Sequence, residues 1–162
     1  MFGIELQHWH PLLVHFPIAL WTLATIFYLL SFFGPLYFLR QASIWMGLVG
    51  CGMGFLAAEM GEKSAEIIGN TICEDVMTLL LKHEDQAEST NVIMAVAWSL
   101  AAIQEYVLAR FLSRISQFRF ICVIAAIGMC LGMMFLTKTG HKGFQLVYQG
   151  GVAVEGVARK CK

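Results

Sequence analysis

The amino-acid sequence predicts an all-α fold, a four-helix transmembrane bundle formed by a single integral membrane domain of residues 1–162. Its composition is too apolar for an ordinary soluble domain, because 58% of the residues are hydrophobic and only 14% are charged. The apolar residues gather in four runs, each near the roughly 20 residues with which a helix crosses a bilayer core. We place the four spans at residues 11–33, 42–58, 91–112 and 118–137.

The first span opens with the stretch His8–Pro17, which contains three of the five histidines. No basic residue precedes this apolar run and no small-x-small cleavage pattern follows it, so we interpret it as a retained helix and not as a signal peptide. Pro11 suits a first helical position, where its missing N–H is no loss. Pro17 lies one turn into the helix and predicts a kink beside His15.

The second span carries four glycines, which allow close approach of either a neighbouring helix or a flat cofactor. They are Gly47, Gly50, Gly52 and Gly54. From Glu59 to Glu88 acidic residues alternate with apolar ones, which predicts an amphipathic segment interrupted near Gly69. The third span is expected to continue a helix that begins near Glu74, because no Gly or Pro intervenes. Residues 138–162 are expected to form a glycine-rich C-terminal tail that is too polar to span.

The short loops predict the orientation of the bundle. Arginines without neighbouring carboxylates lie between spans one and two and around the junction of spans three and four: Arg40, Arg110, Arg114 and Arg119. By the positive-inside rule that side is cytoplasmic, so both termini are expected in the periplasm, outside a bacterial inner membrane. The formal net charge is zero, which gives no electrostatic footprint for a nucleic acid partner.

All five histidines fall in segments that an even number of spans places on one face: His8, His10, His15, His83 and His141. If the first helix extends back to His8, then His15 lies on a small and polar stripe with Ala19 and Thr22 that suits the bundle interior, whereas His10 points elsewhere. Two neutral imidazoles on facing helices are able to ligate a haem iron from both sides. We therefore predict His15 and His83 as the first pair of metal ligands, followed by His10 and His141.

Other interpretations of these polar residues stay open. A histidine at a membrane interface often serves only as an amphipathic anchor. His15 is expected about one turn inside the hydrocarbon, where an ionisable side chain suggests a functional site. Glu105, deep in span three, either relays protons or pairs with Arg110 or Arg114.

The remaining motifs argue against a stand-alone enzyme. The sequence has no nucleophile with its base, no phosphate-binding glycine loop and no paired-carboxylate site, so an electron-transfer component is favoured. The five cysteines lack the spacing of a zinc module or a dithiol motif. Cys73 and Cys161 are on the same predicted face and are candidates for a disulfide if that face is oxidising.

The opening motif His10–Ile18 resembles the hallmark of the bacterial four-span membrane proteins grouped as domain-of-unknown-function family 2231. Lys82-His83-Glu84 and Gly140-His141-Lys142-Gly143 are similar to later blocks of that family, in the expected order. The resemblance marks His10, His15, His83 and His141, and leaves out His8. Because members are similar in layout to small b-type cytochrome subunits, and some are joined to iron–sulfur or cytochrome modules, the resemblance implies a redox context.

Together these features predict a subunit that binds haem b near its outer face and transfers electrons within a respiratory or quinone-linked membrane complex. The expected partners are larger membrane subunits together with a cytochrome c, an iron–sulfur protein or quinol from the bilayer. Two alternatives stay open. One is a non-catalytic accessory subunit packed against a larger complex, and the other is an outer-face copper or zinc site built from His8, His10 and His15.

Overall fold

A computed structural model describes residues 9–69, 72–108 and 118–152, and these ranges contain helices and turns but no β-strand. The short helix α1 leads into α2, and three long helices follow. Their bounds are Trp9–Leu13 for α1, His15–Leu30 for α2, Tyr37–Gly69 for α3, Glu74–Ile103 for α4 and Phe118–Tyr148 for α5. A π-helical turn, Gln104–Leu108, continues α4 directly. The all-α prediction is confirmed.

Four helical stretches are long and apolar enough to cross a membrane, which confirms the predicted number of spans. They are Trp9–Leu30, Tyr37–Ile68, Glu74–Leu108 and Phe120–Tyr148. The last three contain 29 to 35 residues. At 1.5 Å per residue they measure roughly 44–52 Å, against about 30 Å for a hydrocarbon core. These helices therefore reach past the hydrocarbon region.

The extra length lies where the sequence suggested separate segments. α3 continues through the acidic residues 59–69 and ends at Gly69, and α4 begins at Glu74 as predicted. α5 continues through residues 138–148, which were expected to belong to the tail. It ends before Gly151, whose left-handed φ of 64° stops the helix. The polar segments at this end are thus in large part extensions of the spanning helices.

The first span is interrupted beside His15, as Pro17 predicts. The interruption falls at Val14, between α1 and α2. Pro17 has no N–H to offer the carbonyl of Leu13, four residues earlier, and its ring crowds that carbonyl. Backbone hydrogen bonds nevertheless continue across the interruption, since Val14 N donates to His10 O at 3.1 Å and Ile18 N donates to Val14 O at 3.3 Å.

The bundle core is built from large side chains packed against glycines. Among its fully buried side chains are Trp21 of α2 and Trp98 of α4. A Cβ at Gly47 would overlap the Trp98 ring, and Cβ atoms at Gly50 and Gly54 would lie 2.8 and 2.6 Å from the Trp21 ring. Gly47, Gly50 and Gly54 therefore receive tryptophan rings from neighbouring helices, which is the helix-packing alternative, whereas nothing lies within 4 Å of a Cβ at Gly52.

Candidate functional site

Buried polar side chains gather at two places in the bundle. We call the first the histidine end, defined by His10, His83, Thr90 and Thr139. We call the second the arginine end, defined by Arg40, Gln41, Gln104, Glu105, Tyr106, Cys122 and Tyr28. His83 and Gln104 lie near opposite ends of one continuous helix, about 30 Å apart at helical rise, so the two clusters lie at opposite ends of the bundle.

His10 and His83 contact each other at the histidine end. Their ring centroids are 6.3 Å apart and their planes are nearly perpendicular, at 87°. His10 Nδ1 lies 2.7 Å from the carbonyl oxygen of Ala57 on α3, and His83 Nδ1 lies 3.0 Å from that of Thr139 on α5. A carbonyl only accepts hydrogen bonds, so both rings carry a proton on Nδ1. In a neutral imidazole the Nε2 lone pair is then available to a ligand.

Each imidazole lies against a glycine one helical turn beyond the carbonyl that it bonds. A Cβ at Gly61, four residues after Ala57, would lie 2.8 Å from His10 Nδ1. A Cβ at Gly143, four residues after Thr139, would lie 3.3 Å from His83 Cε1. The same arrangement of carbonyl and glycine therefore holds both rings. In the sequence, this arrangement is visible only as Ala57 or Thr139 followed four positions later by a glycine. The expectations drawn from the sequence did not include it.

A second layer of hydrogen bonds fixes the helices around His83. The hydroxyls of Thr90 on α4 and Thr139 on α5 are 3.1 Å apart. Asn91 Nδ2 donates to Gly54 O on α3 at 3.2 Å, and Lys142 Nζ lies 3.4 Å from Lys82 O. These contacts tie α4 to both of its neighbours, so the orientation of the His83 ring follows from the packing of three helices.

His15 is placed differently from the sequence expectation. Its side chain is exposed, as is that of Ala19, and the face of α2 that turns inward carries Trp21 and Tyr28. The expectation that the His15 stripe faces the interior is therefore wrong. The reason is that Trp21 fills the spaces above Gly50 and Gly54, which turns the opposite stripe outward. His10 lies on the Trp21 side and reaches α3.

Among the described residues, the remaining predicted ligand, His141, does not join the histidine end. His141 is exposed, with Nε2 3.3 Å from Gln145 Nε2 one turn later, and His8 lies outside the described residues. Within the described ranges, no group of three or more His, Cys, Asp or Glu side chains is placed to hold a metal ion. The structure thus brings His10 to His83, and ligand roles for His15 and His141 stay predictions.

An apolar cavity of about 340 Å³ lies between α1 and α3. It is lined by Trp9 and Leu13 of α1 and by Leu56 and Met60 of α3. Trp9 and Leu56 are the sequence neighbours of His10 and Ala57, but neither His10 nor Ala57 is among the residues that line it. A cavity of this size and lining suits a flat apolar group.

Of the two cysteines considered for a disulfide, Cys73 precedes α4 and is disulfide-bonded. Cys161 lies outside the described residues. Cys51 is buried and Cys130 is exposed, and both are free thiols.

The arginine end is a network of side chains from all four spans. Arg40 Nε lies 2.9 Å from Glu105 Oε2, and Arg40 Nη2 lies 2.6 Å from Gln104 Oε1 and 2.8 Å from Cys122 Sγ. The guanidinium also covers the Tyr28 ring, 5.6 Å from its centroid. Glu105 therefore pairs with Arg40, whereas the expected partners Arg110 and Arg114 lie outside the described residues.

Comparison with known proteins assigns a family. The model of the family described as "Predicted membrane protein (DUF2231)" matches residues 7–156. That range contains every helix described above and both ends of the bundle. No curated protein and no solved structure matches the chain.

Proposed function

We propose that this protein, which belongs to the DUF2231 family of predicted membrane proteins, binds one haem b between His10 and His83. In this proposal it is an electron-transfer subunit of a respiratory or quinone-linked membrane complex. The observation that carries the proposal is the pair of perpendicular imidazoles, each with Nδ1 bonded to a backbone carbonyl.

The spacing of the two rings fits a shared metal. A metal–imidazole bond of about 2 Å on each side, plus roughly 1 Å from each nitrogen to its ring centre, gives about 6 Å between centroids. The observed separation is 6.3 Å. Bonding of Nδ1 to a carbonyl also selects the tautomer that ligates through Nε2 and raises the basicity of that nitrogen.

The number of ligands favours haem over a bare ion. Zinc and copper sites usually need three or more protein ligands, and the described residues provide no such group. Haem iron needs only two, because the porphyrin supplies the other four. A macrocycle also needs an apolar surface, and the cavity between α1 and α3 offers one at the sequence neighbours of His10 and Ala57. The copper or zinc site from His8, His10 and His15 remains the weaker candidate.

In this proposal, the residues of the chain hold the haem and position it. When bound, haem supplies one-electron redox chemistry. Gly61 and Gly143 give the imidazoles room, and the carbonyls of Ala57 and Thr139 fix their rotation. His10 lies at the start of α1, so we expect a soluble cytochrome c or iron–sulfur protein to approach the site from that end, or quinol to approach it from the bilayer. With the predicted orientation, that surface faces the periplasm.

An absorption spectrum tests the proposal. The full chain, purified in mild detergent, is expected to show a Soret band and sharp reduced-state bands of six-coordinate haem, with about one haem per chain. Both His10→Ala and His83→Ala should abolish the six-coordinate spectrum, whereas the exposed control His15→Ala should keep it. Circular dichroism verifies that each variant is folded.

Other results of this experiment would reassign the ligands or refute the haem proposal. Loss of the spectrum in His15→Ala but not in His10→Ala would assign the ligand pair to His15 and His83 instead. Absence of both Soret absorbance and bound iron from the wild-type protein would refute the haem proposal. Zinc or copper found by metal analysis would then favour the bare-ion site.

In the alternative proposal, the protein is a non-catalytic accessory subunit and the histidine contacts only stabilise the bundle. His10 ties α1 to α3 and His83 ties α4 to α5 through side chain to backbone hydrogen bonds, which a purely structural subunit also needs. It predicts that His83→Asn lowers stability, that wild-type protein contains no cofactor and that it co-purifies with a larger complex.

A further inference from the structure

Apart from Arg40 Nε, which is ion-paired with Glu105, the arginine end contains two buried hydrogen-bond donors for which the described residues offer no oxygen or nitrogen acceptor. They are the hydroxyl of Tyr28 and the Nε2 amide nitrogen of Gln104. The two side chains are 0% and 1% exposed, so bulk solvent does not supply the partner. The Cys122 sulfur lies beside the Tyr28 hydroxyl, but a thiol is a weak hydrogen-bonding partner. Buried donors are almost always satisfied in folded proteins, so each unpaired group calls for an explanation.

The local backbone departs from regular α-helix. In the π-helical turn, the consecutive residues Gln104, Glu105 and Tyr106 all reach the start of α3. Gln104 and Glu105 contact Arg40, and Tyr106 donates to Gln41 Oε1 at 2.5 Å. Turns of this type occur mostly as single irregularities in α-helices, and frequently at functional sites.

The charges at this end restrict what can bind. Arg40 and Glu105 form an ion pair, and Gln41 Nε2 donates to the second carboxylate oxygen, Oε1, at 3.0 Å. Because the two charges compensate each other, neither a free anion nor a free cation finds an uncompensated partner here. The unpaired groups are donors, so the complementary ligand is neutral and carries an acceptor oxygen.

The cluster is also open at its edge. The side chains of Arg40 and Glu105 are 22% and 10% exposed. Trp45 is exposed beside Tyr106, with ring centroids 6.0 Å apart. An aromatic rim of this kind suits the zone between lipid and water.

We propose that the arginine end binds a neutral oxygen ligand, whose oxygen accepts hydrogen bonds from the Tyr28 hydroxyl and the Gln104 side-chain amide. Two sources supply this chemistry: an ordered water molecule, or the carbonyl of a quinone dissolved in the bilayer. Either would satisfy the two donors without disturbing the Arg40–Glu105 pair. The site is distinct from the histidine end and does not depend on haem, so either proposal can fail alone.

Removal of the Tyr28 hydroxyl tests whether a ligand is held. If the hydroxyl had no partner other than the Cys122 sulfur, Tyr28→Phe would be neutral or would raise the unfolding temperature, because a poorly satisfied buried group is costly. If a ligand accepts its hydrogen bond, Tyr28→Phe should lower the unfolding temperature by about 2–4 °C. Thermal unfolding of the full chain in detergent, followed by circular dichroism, measures the difference.

Variants of two other tyrosines serve as controls for this experiment. Tyr106→Phe removes a hydroxyl that bonds Gln41 and shows the effect of losing a satisfied group. Tyr37→Phe, at an exposed position, should cause no change. A Tyr28→Phe variant as stable as wild type, or more stable, would overturn the proposal.

Two further measurements identify the source of the oxygen. A short-chain ubiquinone that raises the unfolding temperature of wild type, but not of Tyr28→Phe, identifies a quinone. If it has no effect, infrared spectra in H₂¹⁸O should show an isotope-sensitive O–H band that disappears in Tyr28→Phe, which identifies ordered water. Absence of both signals would also overturn the proposal, even if the stability of the variant were ambiguous.

Discussion

The two ends of the bundle both bury polar side chains, but they satisfy them in different ways. At the histidine end, His10 and His83 are bonded to backbone carbonyls through one ring nitrogen each. At the arginine end, Arg40 and Glu105 satisfy each other and are surrounded by further side chains. A group anchored to the backbone keeps its second nitrogen for a ligand. A charge compensated by a neighbouring side chain is instead suited to holding helices together.

This difference separates the roles that we expect for the two clusters. Arg40 of α3 contacts residues of α2, the π-helical turn that continues α4, and α5, so its loss should affect the whole bundle. The histidines are each held by one carbonyl and one glycine, so changes there should affect binding more than folding. The following experiments test this separation.

The largest effect on stability is expected from Glu105→Leu. This change leaves the Arg40 guanidinium unpaired in a mostly buried position, which should reduce the free energy of unfolding by about 3 kcal/mol. Chemical or thermal unfolding in detergent measures the loss. The double variant Arg40→Met/Glu105→Leu should recover most of it, because both charges are then absent. A double variant no more stable than Glu105→Leu would show that the ion pair is not the cause.

A strong effect on binding, with a smaller effect on folding, is expected from Gly61→Ala. The new methyl group would lie 2.8 Å from His10 Nδ1 and should displace the ring from Ala57. We expect haem content to fall several-fold while the helical circular dichroism is retained. Gly52→Ala is the matched control on the same helix, because nothing lies within 4 Å of its Cβ position. Equal haem content in the two variants would contradict the role of Gly61.

A moderate effect is expected from Thr90→Val. The variant loses the hydrogen bond to the Thr139 hydroxyl, and Thr139 also supplies the carbonyl that orients His83. The free energy of unfolding should fall by about 1 kcal/mol. The haem reduction potential should shift because the His83 ring is held less firmly. Thr22→Val, at a hydroxyl that bonds only its own helix, should leave the potential unchanged.

The smallest effect is expected from Glu59→Gln. Glu59 and Lys63 form an exposed ion pair one helical turn apart, and solvent screens such pairs. The unfolding temperature and the haem content should both stay unchanged within error. A clear loss of haem would show that the charged surface of α3 takes part in the histidine end.

Much of the architecture was predictable because it depends on local patterns. Four apolar runs, the break caused by Pro17 and the start of α4 near Glu74 follow from composition, proline geometry and the absence of helix breakers. The ends of α3 and α5 were harder to predict. Their polar residues resemble loops in composition, yet Gly143 lies within α5, where its missing side chain accommodates the His83 ring.

The pairing of the histidines was only partly predictable. Topology places His10, His15, His83 and His141 in segments of the same end, and the sequence predicts His83 as a ligand. The same reasoning predicts His15, because helical spacing defines the stripes of a helix but not which stripe turns inward. The fit of Trp21 over the α3 glycines decided that question in favour of the face that carries His10.

The sequence by itself therefore determined the number of spans, the start of α4 and the end of the molecule where the histidines gather, since each follows from residues close together in the chain. The tertiary structure alone decided that His10 meets His83, that Glu105 pairs with Arg40 and that glycines four residues after a bonded carbonyl receive the imidazoles. Each of these contacts joins residues from 47 to 73 positions apart. Such contacts depend on how side chains of different helices fill one another's spaces, which no single helix encodes.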